Sequence, residues 1–310
     1  MIDCSRTMPT LTVFTPTYNR AYTLHLCYES LCRQTNKDFC WLVIDDGSTD
    51  NTRELVEGWK KEDKIPITYF YQENQGMHGA HNAAYRLIDT ELNICIDSDD
   101  YMPDDAVEMI VSFWKVRGSN QYAGMVGLDK SINGELISVP FPKTMPSTTL
   151  VDYEQTIGYG DTKMVLRTDV VRQYPEYPRF DGERYFSLGY LYLLIDQDYQ
   201  LLTLNVPLVI VDYKTDGSSM GMWKQYWNNP RGFLFLRKEH IRLYKRMRYR
   251  IKESIHYYSH CFRIGDISNF YDSQLPIWTV FALPFGLFLY LLTKYKVYRG
   301  DRMTFFLKSC

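Results

Sequence analysis

The segment Phe39-Cys40-Trp41-Leu42-Val43-Ile44-Asp45-Asp46-Gly47-Ser48-Thr49-Asp50 decides the fold class of this 310-residue chain. Its first six residues are apolar on both faces, as in a strand that is buried within a parallel sheet. Its last six residues are polar and turn-forming, and they include capping residues that predict a helix carrying Leu55, Val56 and Trp59. The segment therefore predicts a buried strand that ends in a polar turn and leads into a helix.

The same alternation of strand and helix extends outward from this segment, from Leu11 to about Val116. Further strands are predicted over residues 11–14, 67–71 and 92–96. A helix is predicted over 80–88, and Pro103 is expected to open another. The remaining helix is indicated by apolar residues at i, i+3, i+4 and i+7, namely Leu24, Cys27, Tyr28 and Leu31. This order of elements predicts an α/β domain with a parallel sheet.

Charge and cysteine content exclude some classes of protein. The 35 Lys and Arg residues against 37 Asp and Glu residues give a net charge of −2, so no global basic field points to nucleic acid. The 7 cysteines are scattered and form no C-x-x-C pair, and Cys40 and Cys95 lie in apolar runs that predict burial. Residues 1–9 contain no apolar stretch typical of a secretory signal. We expect a cytoplasmic protein that does not bind nucleic acid.

Polar motifs follow the predicted strands, at the edge where open α/β sheets bind ligands. The first motif is Thr15-Pro16-Thr17-Tyr18-Asn19-Arg20. Hydroxyl groups, an aromatic face and a guanidinium together suit a nucleoside diphosphate, because they can stack on the base and neutralise the phosphates. An ordinary helix N-cap is the alternative interpretation.

The second motif is the pair Asp45-Asp46. Two adjacent carboxylates are not expected to point into the core together, so one should be exposed at the strand tip. There it would accept hydrogen bonds from a base imide or a ribose hydroxyl. A simple turn explains residues 47–50 but not the doubled aspartate.

The third motif is Asp97-Ser98-Asp99-Asp100, which follows the fourth predicted strand. In an extended chain Asp97 and Asp99 would lie on the same side. Carboxylates crowded at one strand end repel each other unless a cation neutralises them, and hard oxygen ligands suit Mg²⁺ or Mn²⁺. The alternative is a solvated acidic turn before the Pro103 helix.

Four stretches in this order and spacing resemble family 2 glycosyltransferases with the GT-A fold. They are PTYNR (16–20), VIDDGSTDNT (43–52), ENQGMHGAHNAA (73–84) and CIDSDDYMPDD (95–105). A looser similarity at residues 213–219 points to members that assemble polysaccharides. The resemblance implies a Rossmann-like mixed sheet and the transfer of a sugar, with inversion, from a nucleotide diphosphate that is usually uridine diphosphate.

The resemblance also assigns roles to particular residues. Asp46 would read the uracil, Asp97 would meet the ribose and diphosphate, and Asp99 would hold the metal. Residues 76–82 would begin a helix near the donor, with Met77 where related proteins often have Lys. The predicted nucleotide site comprises Thr15, Pro16, Tyr18, Arg20, Asp46, Asp97 and Ser98.

An inverting transfer also needs a base near the acceptor hydroxyl. Related sequences carry a second Glu in the region where this chain reads Asp181-Gly182-Glu183-Arg184-Tyr185-Phe186-Ser187-Leu188-Gly189, and Leu188 occupies its position. We expect Glu183 to be the base, with Asp181 next and Asp196 or Asp198 as further options. Alternatively, Glu183 forms a structural ion pair with Arg179 or Arg184.

The C-terminal part of the chain has a different composition. Residues 237–252 are rich in Arg and Lys and predict a basic helix, and residues 277–292 are nearly uncharged. The second stretch is short for a membrane span and is interrupted by Pro284-Phe285-Gly286, so it predicts an interfacial or re-entrant segment. A C-terminal hairpin buried against the core is the alternative. The predicted domains are 1–220, with a nucleotide-binding half (1–118) and an acceptor half (119–220), and a helical, membrane-associating extension (221–310).

Three hypotheses follow for the function. The first is a metal-dependent inverting glycosyltransferase that passes a sugar to a glycan or lipid-linked acceptor at the cytoplasmic face of the membrane. The second is a sugar nucleotidyltransferase, which would be expected to have a Gly-rich, Lys-bearing loop after the first strand. The third, suggested by Leu188, is a protein that binds a nucleotide sugar without turning it over.

Overall fold

The computed structural model describes residues 8–157, 161–211, 222–272 and 274–299. The stretch 213–219, which resembles polysaccharide-assembly proteins, lies outside these residues. The chain divides into two compact units. The sheet unit comprises Met1–Glu176 and Leu194–Asp212, and the helical unit comprises Tyr177–Leu193 and Tyr213–Cys310. The predicted acceptor half (119–220) therefore contributes residues to both units.

The sheet unit is built on one mixed β-sheet. Its described strands are β1 (Leu11–Thr17), β2 (Phe39–Asp45), β3 (Ile67–Tyr71), β4 (Leu92–Cys95), β5 (Tyr122–Ser131), β6 (Ser147–Thr148), β7 (Thr162–Arg167) and β8 (Gln200–Val211). Their order in the sheet is β3-β2-β1-β4-β7-β5-β8-β6. β3, β2, β1 and β4 run parallel, as predicted, whereas β7 lies antiparallel between β4 and β5.

Helices pack along the sheet in the first half of the chain. They are α1 (Ala21–Cys32), α2 (Thr52–Glu62), α3 (Gly76–Leu87) and α4 (Ala106–Arg117). The apolar rows that predicted α1 and α4 are buried, as Leu24, Leu31, Val107 and Ile110 are fully inaccessible. These side chains join those of β1, β2 and β4 in the main hydrophobic core. The predicted alternation of strand and helix is confirmed through this region.

Three short helices follow in the second half of the sequence before the helical tail. They are α5 (Leu150–Thr156), α6 (Thr168–Val171) and α7 (Gly189–Asp198). β5, β7 and β8 extend the first sheet rather than forming a second one. The fold is therefore an α/β fold with a mixed sheet, in agreement with the predicted class.

The helical unit contains α8 (Met222–Asn228), α9 (Pro230–Leu243), α10 (Met247–Ile264) and α11 (Leu283–Arg299), with 3₁₀ helices at Ile267–Tyr271 and Ile277–Ala282. The predicted basic helix over 237–252 is wrong in two respects. It is divided between α9 and α10, and Arg237 is fully buried in an ion pair with Glu253, whose carboxylate lies 2.7 Å from the guanidinium. The buried pair satisfies both charges, so Arg237 belongs to the core of this unit.

The apolar stretch near the C-terminus forms a continuous helical segment. Pro284 lies in the first turn of α11, directly after the 3₁₀ helix Ile277–Ala282, where the missing N–H of proline costs no hydrogen bond. The predicted interruption at Pro284-Phe285-Gly286 is therefore wrong. By length and composition alone, Ile277–Arg299 is the one helical segment among the described residues that could cross a membrane, and 22% of its apolar window is buried. Within residues 274–299, which the structure describes, the segment is one helical stretch and not the buried hairpin of the alternative interpretation.

Candidate functional site

The doubled aspartate at the end of β2 is entirely buried. Asp45 and Asp46 are 1% and 4% exposed, so the expectation that one of them is exposed is wrong. The Asp45 carboxylate accepts hydrogen bonds from the Ser48 amide (2.7 Å) and the Tyr69 hydroxyl (2.5 Å). These local partners replace water, which is why a second buried carboxylate is tolerated.

Asp46 holds the beginning of α3. Its Oδ1 accepts hydrogen bonds from Gln72 Nε2 (2.6 Å) and the Gln75 amide (2.9 Å), and its Oδ2 accepts one from the Gly76 amide (2.8 Å). Burial raises the pKa of Asp46, and these hydrogen bonds oppose the rise. The contacts explain why α3 begins at Gly76 rather than at the predicted residue 80. A carboxylate offers about four lone-pair sites, so one remains for a further donor.

The loop after β1 is tied to the loop after β2 through Asn19. The side-chain oxygen of Asn19 accepts a hydrogen bond from the backbone amide of Thr49 (2.7 Å). The backbone amide of Asn19 donates a hydrogen bond to the Ser48 hydroxyl (2.9 Å). Asn19 has φ 53°, a left-handed conformation that Asn tolerates better than most residues. The sequence reasoning gave Asn19 no role, although an Asn between two turn motifs is typical of such a clip.

The four predicted nucleotide residues of this loop lie in different environments. Thr15 is fully buried within β1, and its hydroxyl accepts a hydrogen bond from the indole of Trp41 at 3.0 Å. Pro16 is also buried within β1. Tyr18 is 46% exposed, and Arg20 is half-buried with its guanidinium against the Tyr22 ring. Tyr18 and Arg20 are thus the members whose side chains solvent can reach.

The acidic motif after β4 is a tight turn and not the extended chain that was expected. The Asp100 amide donates to the carbonyl of Asp97 at 3.0 Å, and Tyr101 then pairs with Ile210 of β8 through two backbone hydrogen bonds. Asp97 and Asp99 are half-buried, whereas Ser98 and Asp100 are buried. The bridge to β8 fixes the turn at the carboxyl end of β4, which is the sheet edge where the motif was predicted to act.

A buried charge cluster that the sequence reasoning missed lies beside this turn. On β7, Lys163 pairs with Gly127 of β5, and Val165 pairs with Ile94 of β4. Because β7 runs antiparallel to β4, Lys163 lies alongside the residues that lead into Asp97. Asp129, two residues beyond Gly127 on β5, is 1% exposed, and its Oδ1 has no hydrogen-bond partner among the described residues.

The charges of this cluster shift one another's pKa values. Burial, followed by the charge of Asp97, raises the pKa of Asp100 to about 8, and Lys163 opposes this shift. Burial likewise raises the pKa of Asp129 to about 6. Burial alone would lower the pKa of Lys163, but the carboxylates of Asp129, Asp97 and Asp100 raise it above its usual range. Lys163 is therefore a fixed cation within an acidic pocket.

The donor set of the turn fits a hard divalent cation. Asp97 and Asp99 are half-buried residues that supply carboxylates, and the described residues contain no preformed group of three His, Cys, Asp or Glu ligands. Mg²⁺ and similar ions are commonly held by one or two carboxylates together with substrate phosphates and water. One or two carboxylates from the protein are therefore enough, because substrate phosphates and water supply the remaining oxygen ligands.

The predicted base Glu183 lies in the helical unit and serves as a helix cap. Its Oε1 and Oε2 accept hydrogen bonds from the amides of Arg231 and Gly232, each at 2.8 Å, at the beginning of α9. In return, Asn229 accepts hydrogen bonds from the amides of Arg184 and Tyr185. The carboxylate thus pairs with backbone amides rather than with Arg179 or Arg184, the partners in the alternative reading.

The other carboxylates considered as bases differ in exposure. Asp181 lies at an exposed turn and makes no hydrogen bond or ion pair within the described part of the chain. Asp196 is buried and accepts hydrogen bonds from the amides of Leu150 and Val151, and burial raises its pKa to about 7. Asp198 accepts a hydrogen bond from the Tyr174 hydroxyl.

The histidines and cysteines near the sheet serve packing. His81 is 1% exposed, contacts the Phe14 ring edge-on, and has its pKa lowered to about 3 by burial. Cys40 and Cys95 are half-buried, less than predicted. All five cysteines in the described residues are free, so no disulfide contributes there.

Comparison with known sequences identifies the family. Residues 12–174, more than half of the chain, match the profile described as Glycosyl transferase family 2. The chain belongs to glycosyl transferase family 2. The matched residues include the loops that follow β1 and β2, the acidic turn Asp97–Asp100, Asp129 and Lys163.

Curated relatives are similar to part of this chain in sequence. A poly(ribitol-phosphate) beta-glucosyltransferase of Bacillus spizizenii is 30% identical over 160 residues, which is 50% of this chain and 24% of that protein. A chondroitin synthase of Escherichia coli is 35% identical over 103 residues, which is 33% of this chain and 15% of that protein. The chain spans less than half the length of the curated relatives it matches.

Solved structures confirm the GT-A fold of the family 2 chain. S. aureus TarS 1-349 in complex with UDP-GlcNAc aligns with a TM-score of 0.63 at 17% identity, covering 94% of this chain and 92% of that one. The mannosyltransferase PcManGT from Pyrobaculum calidifontis, in complex with GDP-Man and Mn²⁺, aligns with a TM-score of 0.56 at 15% identity, covering 95% and 84%. The predicted α/β GT-A class is therefore correct.

Proposed function

We propose that this protein is an inverting glycosyltransferase that moves a sugar from a UDP-sugar to a glycan or lipid-linked acceptor during assembly of a surface polysaccharide. The observation that carries the proposal is the acidic turn Asp97–Asp100, fixed at the carboxyl edge of the sheet beside the half-buried cation Lys163. Uridine as the nucleotide is supported by the fold shared with a protein solved with UDP-GlcNAc. Purified protein that consumes a UDP-sugar in the presence of Mn²⁺ would support the proposal, and consumption of no donor would contradict it.

The donor is held by three loops of the sheet unit. Tyr18 stacks on the base, Arg20 pairs with the phosphates, and Asp46 accepts from the uracil imide with its remaining lone pair. Thr15, Pro16 and Ser98 form the buried floor of this proposed nucleotide site. Asp97 meets the ribose and diphosphate, and Asp99 holds Mn²⁺ or Mg²⁺. When bound, such a cation neutralises the diphosphate as it leaves.

Asp181 is the proposed base for the acceptor hydroxyl. Both oxygens of Glu183, the residue first favoured, already accept backbone amides at the start of α9. These two hydrogen bonds fix the carboxylate at the start of α9. Asp181 has no such partner in the described residues and is exposed. In this assignment Glu183 is a positioning residue that fixes the loop bearing Asp181.

The proposed place of action is the cytoplasmic face of a membrane, where lipid-linked acceptors are available. The exposed apolar helix α11 and its basic flanks support a peripheral or monotopic attachment. The free cysteines of the described residues suit a reducing compartment.

Substitution of Asp46 tests the link between the β2 loop and the nucleotide. We expect Asp46→Asn to lower the free energy of unfolding by about 1–2 kcal/mol, because one of its oxygens becomes a donor facing a backbone amide. It should also weaken UDP binding measured by calorimetry, since the remaining acceptor is lost. Asp45→Asn is the matched control, with a similar loss of stability and native affinity. An affinity of Asp46→Asn equal to native would place base recognition elsewhere.

Substitution of Lys163 tests the role of this cation in donor binding. Removing one charge from a buried, paired cluster weakens binding of an anionic ligand by roughly tenfold to a hundredfold. We therefore expect Lys163→Met to raise the KM for the donor by that factor, with a smaller change in kcat. It should also lower the Mn²⁺ concentration needed for half-maximal rate, since the metal no longer meets a nearby cation.

Lys163→Arg is the conservative variant and should restore most of the donor affinity, because it keeps the charge. A KM for Lys163→Met equal to native, in a protein that unfolds at the native temperature, would show that Lys163 acts on the fold alone.

A further inference from the structure

The exposed side of the C-terminal helical segment is apolar over its whole length. Ile277, Phe281, Phe285, Phe288, Leu291 and Tyr295, which we call the apolar face, are between 51% and 89% exposed. Their spacing of three or four residues places them on one side of the 3₁₀ helix Ile277–Ala282 and α11. Contiguous exposed apolar surface of this kind marks an interaction site in a folded protein.

The opposite side of the same segment carries small residues and is buried. Ala282, Gly286 and Thr293 are its inaccessible members. A Cβ atom added at Gly286 would lie 2.5 Å from the Cβ of Tyr258 and 3.0 Å from the carbonyl oxygen of Ile255, so only glycine allows this close approach to α10. A helix of a water-soluble protein buries its large apolar residues, and this helix does the reverse.

α11 lies along α10 and runs in the same direction. The Arg250 guanidinium stacks over the Trp278 ring at 5.4 Å, the Tyr258 hydroxyl lies 3.4 Å from that of Thr279, and the Phe262 ring stacks on Tyr290. From the Arg250–Trp278 contact to the Phe262–Tyr290 contact, the chain advances by 12 residues both along α10 and along the C-terminal segment. The whole segment is thus fixed to the helical unit, and its apolar face points away from it.

Cations flank the apolar face at both ends, without acidic residues in between. Lys294, Lys296 and Arg299 lie at the C-terminal end. The exposed Lys245, Arg246 and Arg248 precede or begin α10, at the same end as Trp278, on which Arg250 stacks. Residues 277–299 contain no Asp or Glu. This charge pattern is complementary to an anionic lipid surface.

We propose that the 3₁₀ helix Ile277–Ala282 and α11 lie in the plane of an anionic membrane surface, with the apolar face at the boundary between headgroups and acyl chains. The inference deepens the proposed membrane attachment by naming the surface and its orientation, and it does not depend on sugar transfer. The segment does not cross the bilayer. The flanking cations contact lipid phosphates, and Trp278 and Tyr295 lie at headgroup level.

The contacts of α10 disfavour a membrane-spanning arrangement. α10 packs along α11 and contains Glu253, which is 3% exposed and pairs with Arg237 and His240. If α11 crossed the hydrocarbon core, α10 and this charged group would have to enter it as well, at a large cost in free energy. Pairing of two apolar faces from two copies is also disfavoured, because either relative direction brings cations against cations.

Vesicle flotation of the whole 310-residue chain tests whether the apolar face binds an anionic lipid surface. We expect binding to vesicles of phosphatidylglycerol and phosphatidylethanolamine, and weak binding to phosphatidylcholine. The triple variant Phe281→Ser, Phe285→Ser, Phe288→Ser should reduce partitioning by at least about 100-fold, given the transfer free energy of buried aromatic rings. Val116→Ser, Ile132→Ser, Leu136→Ser, which alters equally exposed apolar residues of the sheet unit, should bind like the native protein.

A charge variant separates the two contributions. Lys245→Gln, Arg246→Gln, Arg248→Gln should lose about fivefold in binding for each cation removed, on anionic vesicles only, and the loss should vanish at high salt. UDP binding by calorimetry verifies that every variant is folded. It also separates failure of this proposal from failure of the glycosyltransferase assignment.

Orientation is read from a C-terminal tag on vesicle-bound protein. Protease added outside the vesicles should remove the tag completely, because an in-plane segment leaves both of its ends on one side. Tag protection would overturn the in-plane arrangement in favour of a span. Native flotation of the Phe→Ser variant, or a stable dimer that the same variant dissociates, would overturn the lipid surface itself.

Discussion

Asp99→Ala is expected to reduce sugar transfer by at least about 1,000-fold while leaving the fold intact, because the cation held there contributes several kcal/mol to stabilising the leaving diphosphate. Asp99 lies in the turn between β4 and the Tyr101–Ile210 bridge, and its side chain is half-buried. The turn is held by backbone hydrogen bonds, so removal of this carboxylate should not open it. The rate of UDP release, together with the thermal unfolding temperature, measures both effects.

The matched control for this variant is Asp105→Ala. Asp105 belongs to the same acidic stretch, is exposed, and makes no capping hydrogen bond at the beginning of α4. Its loss should leave the rate within about twofold of native, as expected for an exposed charge. EDTA should abolish activity of the native protein, and Mn²⁺ or Mg²⁺ should restore it. Full activity in metal-free buffer would contradict the assignment of Asp99.

Asp181→Asn is expected to lower kcat by about 10²–10⁴-fold, the usual contribution of a general base, while UDP binding persists. The amide cannot accept the proton that the acceptor hydroxyl releases as the new bond forms. The acidic limb of the pH–rate profile, which reports ionisation of the base, should disappear in this variant. Single-turnover rates at saturating donor and acceptor measure the effect on the chemical step.

Glu183→Gln is the companion variant and should act mainly on stability. A glutamine has one carbonyl oxygen for the two amides of Arg231 and Gly232, so the start of α9 loses about 1 kcal/mol of capping. Its pH–rate profile should keep the native acidic limb. If Glu183→Gln loses the acidic limb while Asp181→Asn keeps it, the base is Glu183.

The sequence predicted those parts of the fold that depend on local periodicity. The buried rows of α1 and α4 and the first four parallel strands follow directly from apolar spacing. Features that depend on distant partners were missed or wrong. Asp45 can be buried because the Tyr69 hydroxyl donates a hydrogen bond to it. Asp46 can be buried because the backbone amide of Gly76, at the start of α3, donates one to it. No local pattern reports such contacts.

The charge cluster was missed for a related reason. Lys163 comes 66 positions after Asp97, and only the antiparallel insertion of β7 beside β4 brings the two strands together. A signal was nevertheless present in the sequence. Asp129 directly follows the largely apolar run 125–128 of β5, Lys163 directly precedes the apolar run 164–166 of β7, and a charge next to a buried run requires a partner. An acidic residue in one such strand and a basic residue in another therefore predict that the two strands are neighbours in the sheet.

In the C-terminal region, two predictions from composition were wrong for geometric reasons, and membrane association stays a prediction. Proline was assumed to interrupt the helix at residue 284, although a first-turn position accepts it. The buried pair of Arg237 and Glu253 shows that a dense basic stretch can contribute to a core. Exposure of the apolar face could not be predicted, because it depends on which side of α11 contacts α10.

Consumption of nucleotide sugars by the purified full-length protein tests the central claim most directly. A panel of UDP-sugars and GDP-mannose is incubated with the protein and Mn²⁺, and free UDP or GDP is quantified by mass spectrometry, with Asp99→Ala as the blank. The proposed function predicts release of UDP from at least one UDP-sugar, dependent on Mn²⁺ and absent in Asp99→Ala. Calorimetric binding of a UDP-sugar without release of nucleotide, in the presence of acceptor-containing membranes, would contradict it and establish a donor-binding protein without turnover.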